Sequence, residues 1–246
     1  MKSWLRTFIC FGLAFFMLEL LMTGEISLYI SPRLNWLVAV GIVLLVVLGV
    51  VQLWNLKKQD MHRIGAWGYV MAIIPMLLLL FVAPKTLDAS SVQKKGMNIA
   101  SMQQPVEIAK DQGDPYLPIA EKLAKEPVIT FTEKDYVEII NTINMYPDRL
   151  KGKKVKMHGF VYRDESLKPD EFVLGRFMVS CCTADGVVTG FLIQTDQAGT
   201  FRNDQWIEID GSVETEVVDG IPYPIIKLNN FKQIEPMKDP YVYVNY

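Results

Sequence analysis

Residues 34–54 read LNWLVAVGIVLLVVLGVVQLW, a run without a single charged side chain and with Trp36 and Trp54 near its two ends. At 1.5 Å of rise per residue, a helix of this length spans roughly 30 Å, the hydrocarbon thickness of a bilayer. Indole rings settle at the headgroup interface, so the two tryptophans mark the depth of the helix. This stretch decides the class of the chain: its first third is membrane apparatus.

Working outward, residues 5–22 are apolar apart from Thr7, Cys10 and Glu19. They span roughly 27 Å as a helix. A secretory leader would begin the same way, since Lys2 and Arg6 precede the apolar core. No small-x-small cleavage pattern follows, however, so the segment is expected to be retained. On the other side, residues 64–82 form a third expected span, with Trp67 and Tyr69 near its start and Pro75 inside it. The basic residues orient the three: Lys2 and Arg6 precede the first, and Lys57, Lys58 and Arg63 lie between the second and third. The positive-inside rule puts those segments in the cytoplasm, and three crossings carry the rest of the chain to the outer face of the membrane. Glu19 is the one intramembrane carboxylate. Such a group is a candidate polar site by default, but here it lies near the outer boundary, within reach of headgroups. His62, in the basic loop, reads as a solvated residue.

The 246 residues carry a formal charge of -2 and are half hydrophobic, but the apolar half is gathered at the start. Residues 88–127 are polar and dotted with Gly96, Pro105, Gly113, Pro115 and Pro118, a linker composition in which residues 116–125 could form a short helix. Residues 128–246 have the length of one folded domain. No basic stripe marks a nucleic-acid surface. Three cysteines are too few for a disulfide framework.

The domain opens on a short extended run, residues 128–131. Thr132 and Asp135 then suggest a helix start, and Tyr136, Ile139, Ile140 and Ile143 form one apolar face. Pro147 ends that helix. Strands are expected at residues 153–162, 171–180, 187–195, 205–213 and 225–234. Five strands with a short turn between the third and fourth predict a small Greek-key barrel of the OB type, with one preceding helix. Gly159 and Gly211 suit points where barrel strands bend sharply. The aromatic tail of Tyr241, Tyr243 and Tyr246 either closes the barrel or lies on the membrane interface, and packing on the barrel is the expected role.

Several segments together resemble the YcgQ family of uncharacterised bacterial membrane proteins. These are Gly24…Tyr29-Ile-Ser-Pro32, Lys153…Gly159-Phe-Val-Tyr162, Arg176…Cys181-Cys-Thr-Ala-Asp185, Trp206-Ile-Glu-Ile-Asp-Gly211 and Asp239-Pro-Tyr-Val-Tyr243. The resemblance runs over nearly the whole chain. It implies a predicted permease subunit that works with a larger, multi-spanning partner of the YcgR type; it brings no catalytic residues.

Cys181 and Cys182 are the candidate chemical centre. Two thiolates, with Asp185 and His158 as further ligands, would suit zinc or copper. Against this, adjacent strand residues point to opposite faces, so a shared metal needs the turn that Thr183-Ala-Asp-Gly186 supplies. A redox pair, and one or both thiols as small buried hydrophobes at a barrel turn, are the competing readings. Arg176 would pair with a carboxylate, Glu171 or Asp185. Ser180 lacks a nucleophile elbow, and no phosphate loop or dinucleotide fingerprint is present, so a non-enzymatic role is expected. The resulting expectation is a membrane accessory subunit whose outer barrel contacts a permease or captures its cargo. The alternative is a membrane-anchored metal-binding or thiol-redox module.

Overall fold

Two long helices open the chain, α1 (Lys2–Thr23) and α2 (Asn35–Trp54). Gly24, at φ 78°, ends the first by turning the backbone into a left-handed conformation that a Cβ would oppose. Two single turns of 3₁₀ helix, Glu25–Leu28 and Pro32–Leu34, complete the connection, with Pro32 opening the second where its missing N–H costs nothing. The pair is zipped at this end by Leu20, Ile26 and Val38 and farther along by Gly49, which approaches the Phe11 ring. These contacts use a narrow stripe of each helix. The remaining apolar side chains face outward; Val43 is 61% exposed and Leu44 57%. Both helices are long and apolar enough to cross a membrane.

The computed structural model describes residues 2–55, 66–81, 86–88, 114–163, 165–218, 221–237 and 239–243. The third expected span is a correction in extent. Helix α3 (Ala66–Phe81) holds 16 described residues, short of a full crossing, so two helices rather than three meet that length among the described residues. The ends of the expected 64–82 segment lie outside the described residues, as do His62 and most of the polar stretch 88–127. That stretch nevertheless ends in structure. Helix α4 (Tyr116–Lys125) buries Ala120 and Leu123 against the following domain, so its carboxyl end belongs to the folded part.

The chain divides into two units, Met1–Thr86 with Cys181–Thr183, and Leu87–Ser180 with Ala184–Tyr246. In the second unit β1 (Val128–Thr130) is followed by α5 (Tyr136–Met145) and the single turn α6 (Pro147–Leu150). The expected Thr132 cap is displaced: its hydroxyl donates to the Asp135 carboxylate at 3.0 Å, forming a turn that precedes α5. The apolar face behaves as its spacing predicts. Tyr136, Ile139, Ile140 and Ile143 are all buried.

Five strands then form the barrel: β2 (Lys154–Tyr162), β3 (Glu171–Val179), β4 (Val187–Gln194), β5 (Trp206–Val218) and β6 (Ile221–Gln233). The ladder runs β2-β5-β6-β4-β3, and β3 pairs back onto β2, closing a five-stranded mixed barrel. β1 is added beside β2, and β7 (Tyr241–Tyr243) beside β3, both parallel. Closure is possible because Gly159, Gly175 and Gly190 lie where neighbouring strands cross. A Cβ on Gly190 would press into the Leu174 carbonyl and stand 2.5 Å from Gly175 Cα. Gly211 marks the second bend, at a register shift between Asp210 and Gly211.

The β5–β6 hairpin is longer than the sequence pattern suggests, since Pro222 and Pro224 argue against a strand. Both lie in β6 opposite Val217 and Thr215. They are two residues apart, so both missing donors fall on the same edge of the strand, and the ladder to β5 survives. Tyr241 and Val242 are buried, which makes the tail a packed strand; Tyr246 lies outside the described residues.

Candidate functional site

Ser180 to Gly186 connect β3 to β4, and this reversal is where the double cysteine sits. A single 3₁₀ turn, Thr183–Asp185, lifts the chain out of the strand geometry that would send adjacent side chains to opposite faces. Asp185 fixes the turn by accepting the Ser180 N–H at 3.0 Å. The sulfurs of Cys181 and Cys182 consequently stand 3.8 Å apart, and they are not joined in a disulfide. A carboxylate oxygen of Asp185 and both sulfurs all lie within 4.8 Å of one another. None of the three side chains is buried, which removes the reading of two core thiols.

The backbone around the cysteines is held inside the first unit. Cys182 forms a bridge with Ile30, the Ser31 N–H donates to the Cys181 carbonyl at 3.0 Å, and the Thr183 N–H donates to the Tyr29 carbonyl at 3.0 Å. Two separated motifs, Tyr29-Ile-Ser-Pro32 and Cys181-Cys-Thr183, therefore meet as one short ladder. Ser31 itself is fully buried, and its hydroxyl has no hydrogen-bond partner among the described residues.

His158 is placed elsewhere. It lies on β2 opposite Glu208, and its Nε2 is 3.3 Å from Nη1 of Arg176. A guanidinium can only donate, so Nε2 accepts and the ring proton sits on Nδ1. Burial, and then the adjacent Arg176 charge, hold His158 below its ordinary pKa of 6.5. The structure thus groups Cys181, Cys182 and Asp185, and assigns His158 to a different cluster.

That cluster is organised by Arg176, the largest fully buried side chain among the described residues. Neither expected carboxylate is its partner. Glu171 pairs with Lys168 at 3.0 Å, and Asp185 holds its own turn. Arg176 instead donates to three backbone carbonyls of the tail: Asp239 at 2.6 Å, Pro240 at 3.3 Å and Tyr241 at 3.1 Å. Its guanidinium carbon also lies 5.7 Å from the Tyr136 ring centre and 5.9 Å from that of Trp206. Burial lowers its pKa, yet a guanidinium starts so high that it stays charged. The Asp239 carboxylate accepts the Tyr241 N–H and the Tyr243 hydroxyl, and burial raises its pKa. The arrangement is a clasp that pins β7 onto β3. Its signal in the sequence is an arginine inside the otherwise apolar run of β3; its partners could not be read there because backbone carbonyls carry no residue signature.

Glu19 is exposed, one turn before the end of α1, where Thr23 donates to its backbone carbonyl at 3.0 Å. Nothing among the described residues gathers other ionisable groups around it into a polar path.

Comparison with known proteins matches residues 5–98 to the model described as the DUF1980 N-terminal domain and residues 108–244 to the DUF1980 C-terminal domain. The chain is similar to "UPF0703 protein YcgQ" of Bacillus subtilis (strain 168), with 24% identity over 97% of this chain and 98% of that protein. It is also similar, at 24% identity, to a Streptococcus mutans protein named "Putative two-component membrane permease complex subunit", over 90% of this chain and 92% of that protein. The family resemblance drawn from the motifs agrees with these matches.

Proposed function

The chain belongs to the DUF1980 family, and from that premise we propose that it is a non-enzymatic, membrane-embedded subunit of a two-component permease. The observation that carries the reading is the full-length match to a relative named for such a complex. The helix pair supports it, because its outward-facing apolar surface needs a lipid or helical neighbour rather than water. Helix α3 is the third crossing in this reading. The positive-inside bias of Lys2, Arg6, Lys57, Lys58 and Arg63 puts the amino terminus in the cytoplasm and the barrel outside.

Three helices offer a poor path for a solute, with Glu19 as their one acidic group. The path therefore belongs to a larger multi-spanning partner, and the barrel contacts that partner or captures its cargo. The barrel is of the OB type in this reading. Its strand order places β2 between β3 and β5 and sets β4 parallel to β6, as a five-stranded Greek-key barrel requires. Such barrels serve binding more often than catalysis, but fold alone names no ligand.

Affinity purification of the tagged chain from native membranes, after mild crosslinking, tests the proposal. A multi-spanning protein recovered in near-equal amount is the expected result. Recovery of this chain alone, at every crosslinker dose, would sink it.

A further inference from the structure

Cys181 and Cys182 are arranged more specifically than a strand reversal demands. Two thiolates bound to one tetrahedral zinc-class ion at about 2.3 Å each are held about 3.8 Å apart. The observed separation of the two sulfurs is 3.8 Å, so they already stand along one edge of such a site. A disulfide would need the sulfurs at about 2.05 Å, between Cα atoms usually more than about 4.4 Å apart. Cys181 and Cys182 are not joined by such a bond. The separation matches one edge of a tetrahedral site for a borderline cation.

We propose that Cys181, Cys182 and Asp185 form an exchangeable site for a zinc-class divalent cation. The Asp185 carboxylate, within 4.8 Å of both sulfurs, supplies the third ligand. Its other role, holding the Ser180 N–H, orients it in the manner of a supported metal ligand. Three protein ligands leave one position open for water or for a group on a partner. None of the three side chains is buried, so the ion can enter and leave. A closed structural site would instead fill all four positions. His158 takes no part, because the Arg176 guanidinium beside it opposes a second cation. Binding converts two thiols to thiolates and releases their two protons to solvent.

The test uses the full chain, purified in detergent, reduced and stripped of metal. It is titrated with zinc against a chromophoric chelator, and in parallel with cobalt to read thiolate-to-metal charge transfer. One zinc per chain and a cobalt–thiolate band are expected. Cys181→Ser or Cys182→Ser should weaken binding by about a hundredfold or more, and Asp185→Asn by about tenfold. His158→Ala should leave it unchanged. Cys181 is exposed, so Cys181→Ser should keep the wild-type melting curve and serves as the variant free of folding effects. Zinc stoichiometry unaltered in the double Cys→Ser variant would overturn the proposal. So would thiol labelling that saturating zinc fails to slow. The inference does not rest on the permease reading: a chain purified without any partner gives the same titration.

Discussion

The α1–α2 pair and the barrel are built from similar apolar side chains and dispose of them in opposite directions. In the helix pair, Trp36, Val43, Leu48 and Trp54 point outward, and only a stripe around Leu20, Val38 and Gly49 is enclosed. In the barrel, Phe172, Leu174, Phe191, Ile193 and Ile209 are fully enclosed, and the charges lie mostly outside. The difference is one of solvent. A helix satisfies its own backbone and can therefore show apolar surface to lipid. A small barrel in water must enclose its apolar surface, since burial at roughly 25 cal/mol per Å² is its main source of stability. Where the barrel breaks that rule, by enclosing Arg176, it supplies three carbonyls and two aromatic faces in compensation.

The contrast is broken most severely at that arginine. Arg176→Met would leave the carbonyls of Asp239, Pro240 and Tyr241 without donors and unclasp β7. Chemical denaturation of the purified protein should show a loss of about 3–5 kcal/mol, since each buried carbonyl left without a donor costs about 1–3 kcal/mol. Limited proteolysis should remove the tail first. Arg176→Lys should recover only part of the loss, because an ammonium cannot reach three carbonyls in the planar fork.

The same small substitution in each region sharpens the comparison. Gly190→Ala drives a methyl group into the backbone of Leu174 and Gly175, neither of which can move without opening the barrel. A loss of about 2–3 kcal/mol is expected. Gly49→Ala meets the Phe11 ring first, 2.9 Å away, and that ring can rotate aside. Its cost should stay under about 1 kcal/mol. Equal losses in thermal unfolding would contradict the claim that the helix pair is the more accommodating packing.

The smallest effect is a pH dependence. His158 faces Arg176, Tyr136, Glu208 and Glu133, and burial with the Arg176 charge depresses its pKa below 6.5. The unfolded chain then binds the proton more readily than the folded one just below pH 6.5, so stability should rise with pH through that window. The contribution is complete above about pH 6.5 and is lost as pH falls toward the folded pKa. Asp239 acts in the opposite sense, since its raised pKa favours the protonated folded form, but its window begins near the ordinary carboxylate value of 3.8. Denaturation midpoints between pH 5.5 and 7.5 should slope upward in the natural protein and flatten in His158→Gln. An unchanged slope in the variant would remove His158 as the source.

Much of this molecule was legible from local pattern. The uncharged run from Leu34 to Trp54 could only be a bilayer or core helix, and the i, i+3, i+4, i+7 spacing from Tyr136 to Ile143 named the buried face of α5. The five barrel strands, and the bends at Gly159 and Gly211, followed from alternation and glycine placement. These features depend on residues close together in the chain, which is where sequence carries its strongest signal.

Contacts between distant residues were decided only by the tertiary structure. Arg176 could not be matched to carbonyls more than sixty positions away. His158 and the cysteines both looked like ligands until the barrel carried them to different clusters. The two prolines of β6 hid a strand because their tolerance depends on which edge is unpaired, a property of the sheet and not of the residue. For Cys181 and Cys182, sequence determined that two thiols are adjacent in one turn. Whether they diverge, as on a strand, or stand 3.8 Å apart beside Asp185 was set by the single 3₁₀ turn that follows them and by the backbone ladder to Tyr29 and Ser31.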